Sequence, residues 1–270
     1  MPKKILAVFL FAWFILGRSI AAAGETVVIY GDSRTNPAIH RQIIKAILRV
    51  KPSAVFHLGD FVNNGSSRKE WAEFNRIASG LLNAVKLYPA VGNHEEGSDL
   101  FFQIFKLPDN RSWYSVDCAG MHFIVLNSTE DLSKGSAQYK WLESDLSGIS
   151  SWVKFRIVLM HHPLFSVGAS RPLKGLRESL LPLFKKYQVA AVFTAHDHNY
   201  QRLFYGNTYY IVTGGGGAPL YSRRGNSPYL KKFVKKFHFC ALSAENGILD
   251  VKVFDPGLNL IDEFKIYSAG

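Results

Sequence analysis

The chain has 270 residues, of which 47% are apolar and 20% charged, an ordinary balance for a globular protein with a sizeable core. Thirty-two Lys and Arg against 21 Asp and Glu give a net charge of +11, which suits anionic substrates or surfaces but does not choose among phosphate esters, lipid headgroups and nucleic acid. With Cys118 and Cys240 as its two cysteines, the chain has no disulfide framework and is poorly equipped for a thiolate metal site.

The first stretch, "MPKKILAVFLFAWFILGRSIAAAG", has a basic tip (Lys3, Lys4), an apolar run from Ile5 to Gly17 and an A-x-A ending at Ala21 and Ala23. That order predicts a secretory signal over residues 1–23, cleaved after Ala23, and a secreted or periplasmic protein. The run is shorter than the roughly 20 residues of a spanning helix and Arg18 interrupts it, so no stable membrane anchor is expected. Cleavage removes Lys3, Lys4 and Arg18, leaving 29 basic against 21 acidic residues and a charge of +8. In an oxidising compartment, pairing of Cys118 with Cys240 stays open.

"TVVIYG" (Thr26 to Gly31) reads as a strand, followed by "DSRTNP", where Asn36 can cap a helix and Pro37 occupy its first turn. Ile39, Ile43, Ile44, Ile47 and Val50 then recur at helical spacing. "AVFHLG" ends at Asp60, and Ser67 with Glu70 predicts a capping box for a helix whose buried stripe is Trp71, Phe74, Ile77, Ala78, Leu81, Leu82 and Val85. "LYPAVG" ends at Asn93, "FRIVLM" at His161 and "VAAVFTA" at His196, each with the polar residue directly after an apolar strand.

Strands alternating with helices imply right-handed crossovers, and open sheets of that kind bind ligands beyond the carboxyl ends of their strands. Five strand ends should therefore converge on one crevice. The later runs "GMHFIVLNS", "TYYIVTGGGG", "FHFCALSA", "ILDVKVFD" and "LIDEFKIY" read as strands, with hairpin turns at "AENG" and "DPG". No boundary divides the chain, so an α/β fold with one domain over 24–270 is expected.

The strand ends carry a consistent chemistry. Asp32 and Asp60 offer anionic oxygens, Asn93 a neutral carbonyl, and His161, His196 and His198 imidazole nitrogens. His196 and His198 are two apart and, in extended chain, face the same side. Mixed oxygen and nitrogen ligands without thiolate suit Fe, Mn, Zn or Co. Six donors exceed one tetrahedral site but serve two ions if a carboxylate bridges them.

In this order "GDSR", "GDFVNN", "GNHE", "MHHP" and "AHDH" resemble the blocks of the calcineurin-like metallophosphoesterase superfamily, and the likeness is greatest to its purple acid phosphatase-like branch. Further matching text, such as "SWYSVDCAGMHFIVLNS", "HNYQR" and "TGGGGAPLY", extends it over nearly all of residues 25 to 270. The resemblance implies a four-layer β-sandwich flanked by helices and a centre of two divalent or trivalent ions. It also implies hydrolysis of phosphate monoesters, or diesters, by in-line attack of a metal-bound hydroxide. By position, Asp60 bridges, Asp32 and His198 serve the first ion, and Asn93, His161 and His196 the second. His94 would sit beside the scissile phosphate to stabilise charge or protonate the leaving oxygen. Glu95 reads as an orienter, and His161 is preferred to His162 by its place before the proline. His40, His57, His122 and His238 read as structural.

Two positions depart from the pattern. Many superfamily members have D-x-H in the first block, and the purple enzymes carry a tyrosine three residues after the second aspartate; this chain has Arg34 and Asn63 there. The first ion is then short of a protein ligand, a gap for water, substrate or Asn63. A guanidinium has no lone pair for a metal, so Arg34 is expected to hold phosphoryl oxygens, or to pair with a carboxylate on the rim. Ala195 also replaces the usual glycine before H-x-H. The lysines of "YLKKFVKKFHF" read as a solvated face beside a strand, so no specific nucleic-acid binding is expected. "GGGG" (Gly214 to Gly217) lacks the G-K-[ST] of a phosphate loop and instead lets backbone pass close to the site. The expectation is an exported phosphoesterase acting on a small-molecule ester. The alternative is a non-catalytic metal-containing binding protein with a depleted first site.

Overall fold

The structure, a computed structural model, describes residues 25–107, 111–150, 152–170, 173 and 175–268. The expected signal segment lies outside them.

The chain opens with β1 (Thr26–Tyr30), α1 (Pro37–Arg49), β2 (Ala54–His57), α2 (Arg68–Ala84) and β3 (Lys86–Pro89), and the three strands lie parallel. At the start of α1, the Asn36 side chain accepts the Ile39 N–H and Pro37 takes the first turn. At α2, Ser67 Oγ accepts the Glu70 N–H, but the return bond of a capping box is not made. Glu70 Oε2 instead accepts the N–H groups of Asn63 at 2.6 Å and Asn64 at 3.2 Å, tying the helix to the loop that follows Asp60. The third strand ends at Pro89, so Asn93 stands beyond a further turn of chain and not directly at a strand end.

Next come α3 (Asp99–Phe105), β4 (Tyr114–Cys118), β5 (Met121–Val125), α4 (Ala137–Gly148), β6 (Phe155–Leu159), α5 (Leu176–Lys186) and β7 (Ala191–Thr194). The chain closes with β8 (Tyr200–Tyr205), β9 (Thr208–Thr213), β10 (Leu230–Val234), β11 (Phe239–Glu245), β12 (Ile248–Phe254) and β13 (Leu260–Tyr267). Six strands form one sheet in the order β13-β12-β11-β1-β2-β3, and seven form a second in the order β10-β8-β9-β7-β6-β5-β4.

The period of two along each strand sorts side chains into layers. In β5, Phe123 and Val125 join the core between the sheets, while Ile124 points outward to Leu142 and Leu146 of α4. In β6, Ile157 and Leu159 face inward and Val158 outward, toward Leu180 and Phe184 of α5. On the far side α1 and α2 contribute Ile43, Ile47, Trp71, Phe74 and Leu81. The result is four layers, helices outside and two sheets within.

Lys231 and Lys232 are exposed on β10, an edge strand, where charge discourages further strand pairing. Cys118 on β4 and Cys240 on β11 belong to different sheets and are both free. Among the described residues no helix is long and apolar enough to cross a membrane.

Candidate metal centre

Parallel strands β1, β2 and β3 of one sheet, and β6 and β7 of the other, deliver the six predicted donors to one end of the sandwich. Asp32, Asp60 and His196 all have left-handed backbone, with φ of 57°, 57° and 65°. Such a conformation in a residue other than glycine costs on the order of 1–3 kcal/mol and persists where the surroundings enforce it. Here they do. The His196 N–H donates to Asp32 Oδ2 at 2.9 Å, the Asp32 N–H donates to Gly59 O, and the Asp60 N–H donates to Glu95 Oε2 at 2.7 Å.

Close approach of backbone is also needed. A Cβ on Gly92 would lie 2.3 Å from Asp60 Oδ1, and one on Gly214 would lie 2.5 Å from Asp32 Oδ2. Only glycine fits at either place.

One set of donors is tightly convergent. His161 Nε2 lies 3.0 Å from Asn93 Oδ1 and 3.2 Å from His196 Nδ1; Asn93 Oδ1 is 2.9 Å from His196 Nδ1, and Asp60 Oδ1 is 3.5 Å from His161 Nε2. The other nitrogen of His161 donates to Leu58 O at 2.8 Å, so in the neutral ring Nε2 carries a lone pair turned inward. With His161 Nε2 and Asn93 Oδ1 as acceptors, a cation shared with His196 Nδ1 would satisfy all three. Ligands about 2.0–2.1 Å from a shared ion stand roughly 2.9–3.4 Å apart, so this set fits a first-row metal.

The other set is arranged differently. Asp32 is fully buried and its Oδ1 has no hydrogen bond, with His198 Nε2 at 3.4 Å. His198 Nδ1 donates to Pro219 O at 2.8 Å, leaving Nε2 as an acceptor, and the ring of Tyr221 stacks on it. Into this set comes Arg34. Its Nε donates to Asp60 Oδ2 at 3.2 Å, its Nη1 to Asn63 Oδ1 at 3.2 Å, and its Nη2 to His198 Nε2 at 3.4 Å. The side chain is only 14% exposed, so this is no rim pair. Asn63 Oδ1 also accepts from Thr35 Oγ1 at 2.9 Å, and is thereby held by two donors.

His94 flanks both sets. Its Nδ1 donates to Asn63 O at 2.6 Å, and its Nε2 is 3.7 Å from Asp60 Oδ2. Its backbone N–H donates to Asp60 Oδ1 at 3.1 Å. Glu95 is buried behind the site and accepts the N–H groups of Asp60, Val62 and Gly92. Burial and the nearby Asp60 carboxylate push its pKa up to about 8.

His162 binds Ser128 Oγ through Nδ1 at 2.9 Å, and its ring centre is 4.5 Å from that of His196. Burial, with His161 and His196 beside it, lowers its pKa to about 3, so it stays neutral. His40, His57, His122 and His238 make local polar contacts away from the donor sets, to Tyr30, Ser33, Asp117 with Asp145, and Thr213 respectively.

Two residues escaped the sequence reading. Asp197, between the two histidines, is fully buried and points to the opposite side, accepting from Ser166 Oγ and from the N–H groups of Ala169 and Ser170. The chain bends past the end of β7, with His196 at φ 65°, so the two histidines do not alternate along an extended strand as expected, and the spacing gave no true signal for Asp197. Tyr221 had no signal either, because its contact with His198 spans a loop.

The calcineurin-like phosphoesterase family model matches residues 26–200, which hold all six donors and Arg34. The chain belongs to the calcineurin-like phosphoesterase family. The chain is 26% identical over 309 residues to a protein of Arabidopsis thaliana named probable inactive purple acid phosphatase 1, covering 91% of this chain and 48% of that protein. It is 29% identical over 231 residues to mouse acid phosphatase type 7, covering 74% and 52%. The chain thus spans about half the length of these curated relatives. Among solved structures, a purple acid phosphatase from yellow lupin seeds superposes with a TM-score of 0.82 at 22% identity, over 90% of this chain and 53% of that one. The Plasmodium inner-membrane-complex anchor GAP50 superposes at 0.79 with 17% identity, over 92% and 90%. These superpositions speak for the fold.

Proposed function

We propose that this member of the calcineurin-like phosphoesterase family is an exported, metal-dependent hydrolase of phosphate monoesters or diesters. The observation that carries the reading is the convergence of Asp60 Oδ1, Asn93 Oδ1, His161 Nε2 and His196 Nδ1 beside His94. The family blocks support assigning those four residues to an ion. When bound, the ion supplies Lewis acidity and a water-derived nucleophile.

The chain's own residues do the rest. With Nδ1–H held by the Asn63 carbonyl, His94 presents Nε2 toward the site, and in the doubly protonated ring the Nε2–H is oriented to give a proton to a leaving oxygen. The 28% exposure of its side chain leaves substrate access to it. Arg34 places fixed positive charge within the crevice, where negative charge builds on a phosphoryl group. Asp60 is oriented from behind by Glu95. Export is inferred from the signal-like segment 1–23.

A second reading is favoured by two observations. Arg34 occupies the donors expected for a first ion, and several relatives are named probable inactive purple acid phosphatases. A non-catalytic metal-binding protein would need neither a partly exposed ring beside the donors nor its fixed orientation, and His94 has both. A panel of chromogenic monoester, diester and nucleotide, each with Fe, Mn, Zn or Co, separates the readings. Turnover of one class above the metal-only rate supports the hydrolase; none with any metal supports the binding protein.

A further inference from the structure

Asp60 turns its two carboxylate oxygens in different directions. Oδ1 faces His161 Nε2 at 3.5 Å, in the convergent donor set; Oδ2 faces Arg34 Nε at 3.2 Å. We infer that Asp60 bridges one metal ion and the Arg34 guanidinium, so that this chain holds a single ion where its donor set nominally serves two. The inference rests on the metal reading given above.

The argument is one of lone pairs and space. A first ion would need Asp60 Oδ2 and His198 Nε2, and both accept N–H bonds from the same guanidinium. An ion bound to both would have to lie where those N–H groups now lie. Arginine cannot share the place, having no lone pair and a charge that persists at any pH the protein survives. The tyrosine-equivalent position gives no relief, because Asn63 Oδ1 accepts from Arg34 and Thr35.

Asp32 has ligand atoms within 4.8 Å of those of Asp60 and His161, but both of these already serve the convergent set, so what it adds alone is Oδ1, buried and without a hydrogen bond. A single carboxylate oxygen is a poor site for a divalent ion, which in protein sites draws four or more ligands. Its charge is instead faced by His198, whose Nε2 stands 3.4 Å from Oδ1.

The replacement also changes the chemistry. Unlike a metal, a guanidinium supplies positive charge and directed N–H groups to a phosphoryl oxygen, but no activated water. The crevice is therefore built for one nucleophile-generating ion beside one organic cation.

The test is a count. Wild-type protein, Arg34→His and Arg34→Ala are equilibrated with excess Mn²⁺, freed of unbound metal, and measured for manganese per chain and for electron paramagnetic resonance. The expected result is one ion with an isolated-ion spectrum in the wild type. Arg34→His, which supplies an imidazole and frees Asp60 Oδ2 and His198 Nε2, should bind two with an exchange-coupled spectrum. Two ions in the wild type would overturn the inference while leaving the metal reading intact. No ion would overturn both. If Arg34→His does not fold, Arg34→Ala decides: a second ion at high Mn²⁺ supports the guanidinium as the excluding group, and a count fixed at one overturns that role.

Discussion

Glu95 holds Asp60 from behind, its Oε2 accepting the Asp60 N–H at 2.7 Å while Asp60 turns both carboxylate oxygens to the crevice. The same carboxylate accepts from Val62 and Gly92 at 3.2 Å each, and it is 1% exposed. Three backbone donors from two strand-end loops thus depend on one side chain. A buried donor left unpaired costs about 1–3 kcal/mol. Glu95→Ala is expected to lower unfolding stability by at least about 3 kcal/mol, with Glu95→Gln in between, since an amide keeps one acceptor. Urea titration of the three proteins checks it; equal midpoints would mean that these loops are held otherwise.

His94→Ala should separate binding from chemistry. The ring touches the site through Nε2 and is no member of the convergent donor set. A fall in turnover by about 10²–10⁴ with unchanged metal content is expected of a lost proton donor. Equal loss of metal and of rate would show that the ring supports the ion instead.

Much of this arrangement was legible in the sequence, because apolar runs ending in Asp, Asn or His mark strand ends. The caps at Asn36 and Ser67 were likewise readable, since each needs only a side chain and an N–H three residues on. The position of Arg34 was not. Spacing places it on the loop after Asp32, but which acceptors its fork finds depends on how β2 and β7 sit beside β1, across 26 and 164 residues of sequence. For the same reason the pattern suggested a capping bond from Glu70, where the fold gives that carboxylate the Asn63 loop. Asn93 appeared to close a strand because Ala90 and Val91 are apolar, yet those residues are core beyond the last ladder pair.

A pH dependence is expected away from the site. His122 lies between Asp117 Oδ1 and Asp145 Oδ2, at 2.5 and 2.9 Å from its two nitrogens. Burial alone would lower its pKa, but the hydrogen bonds to Asp145 and Asp117 and their charges outweigh it and raise it. A histidine raised in the folded state stabilises fully below its ordinary value of about 6.5, and that contribution is lost as pH rises through the raised value. The stability difference between wild type and His122→Gln should therefore be largest near pH 6 and shrink toward pH 9. A difference constant across that range would contradict the ionised pairing.

Iron-loaded protein should lack a tyrosinate charge-transfer band. Asn63 occupies the position of the expected tyrosine, and Tyr221 meets His198 as a stacked ring, with centroids 4.2 Å apart, presenting its face and not its hydroxyl. A visible spectrum after iron loading decides it, and a purple band would place a phenolate on the ion.

The most direct test of a metal-dependent phosphoesterase pairs turnover with metal content in the same samples of wild type and His196→Ala. His196 Nδ1 stands 2.9 Å from Asn93 Oδ1 and 3.2 Å from His161 Nε2, so its removal takes a donor from the centre of the convergent set. The expected result is hydrolysis of a chromogenic phosphate ester by the wild type that disappears with a chelator and returns with metal, and a His196→Ala protein that folds but lacks both ion and rate. A metal-loaded wild type without turnover of any ester, or a His196→Ala protein with full metal and full rate, would contradict the account.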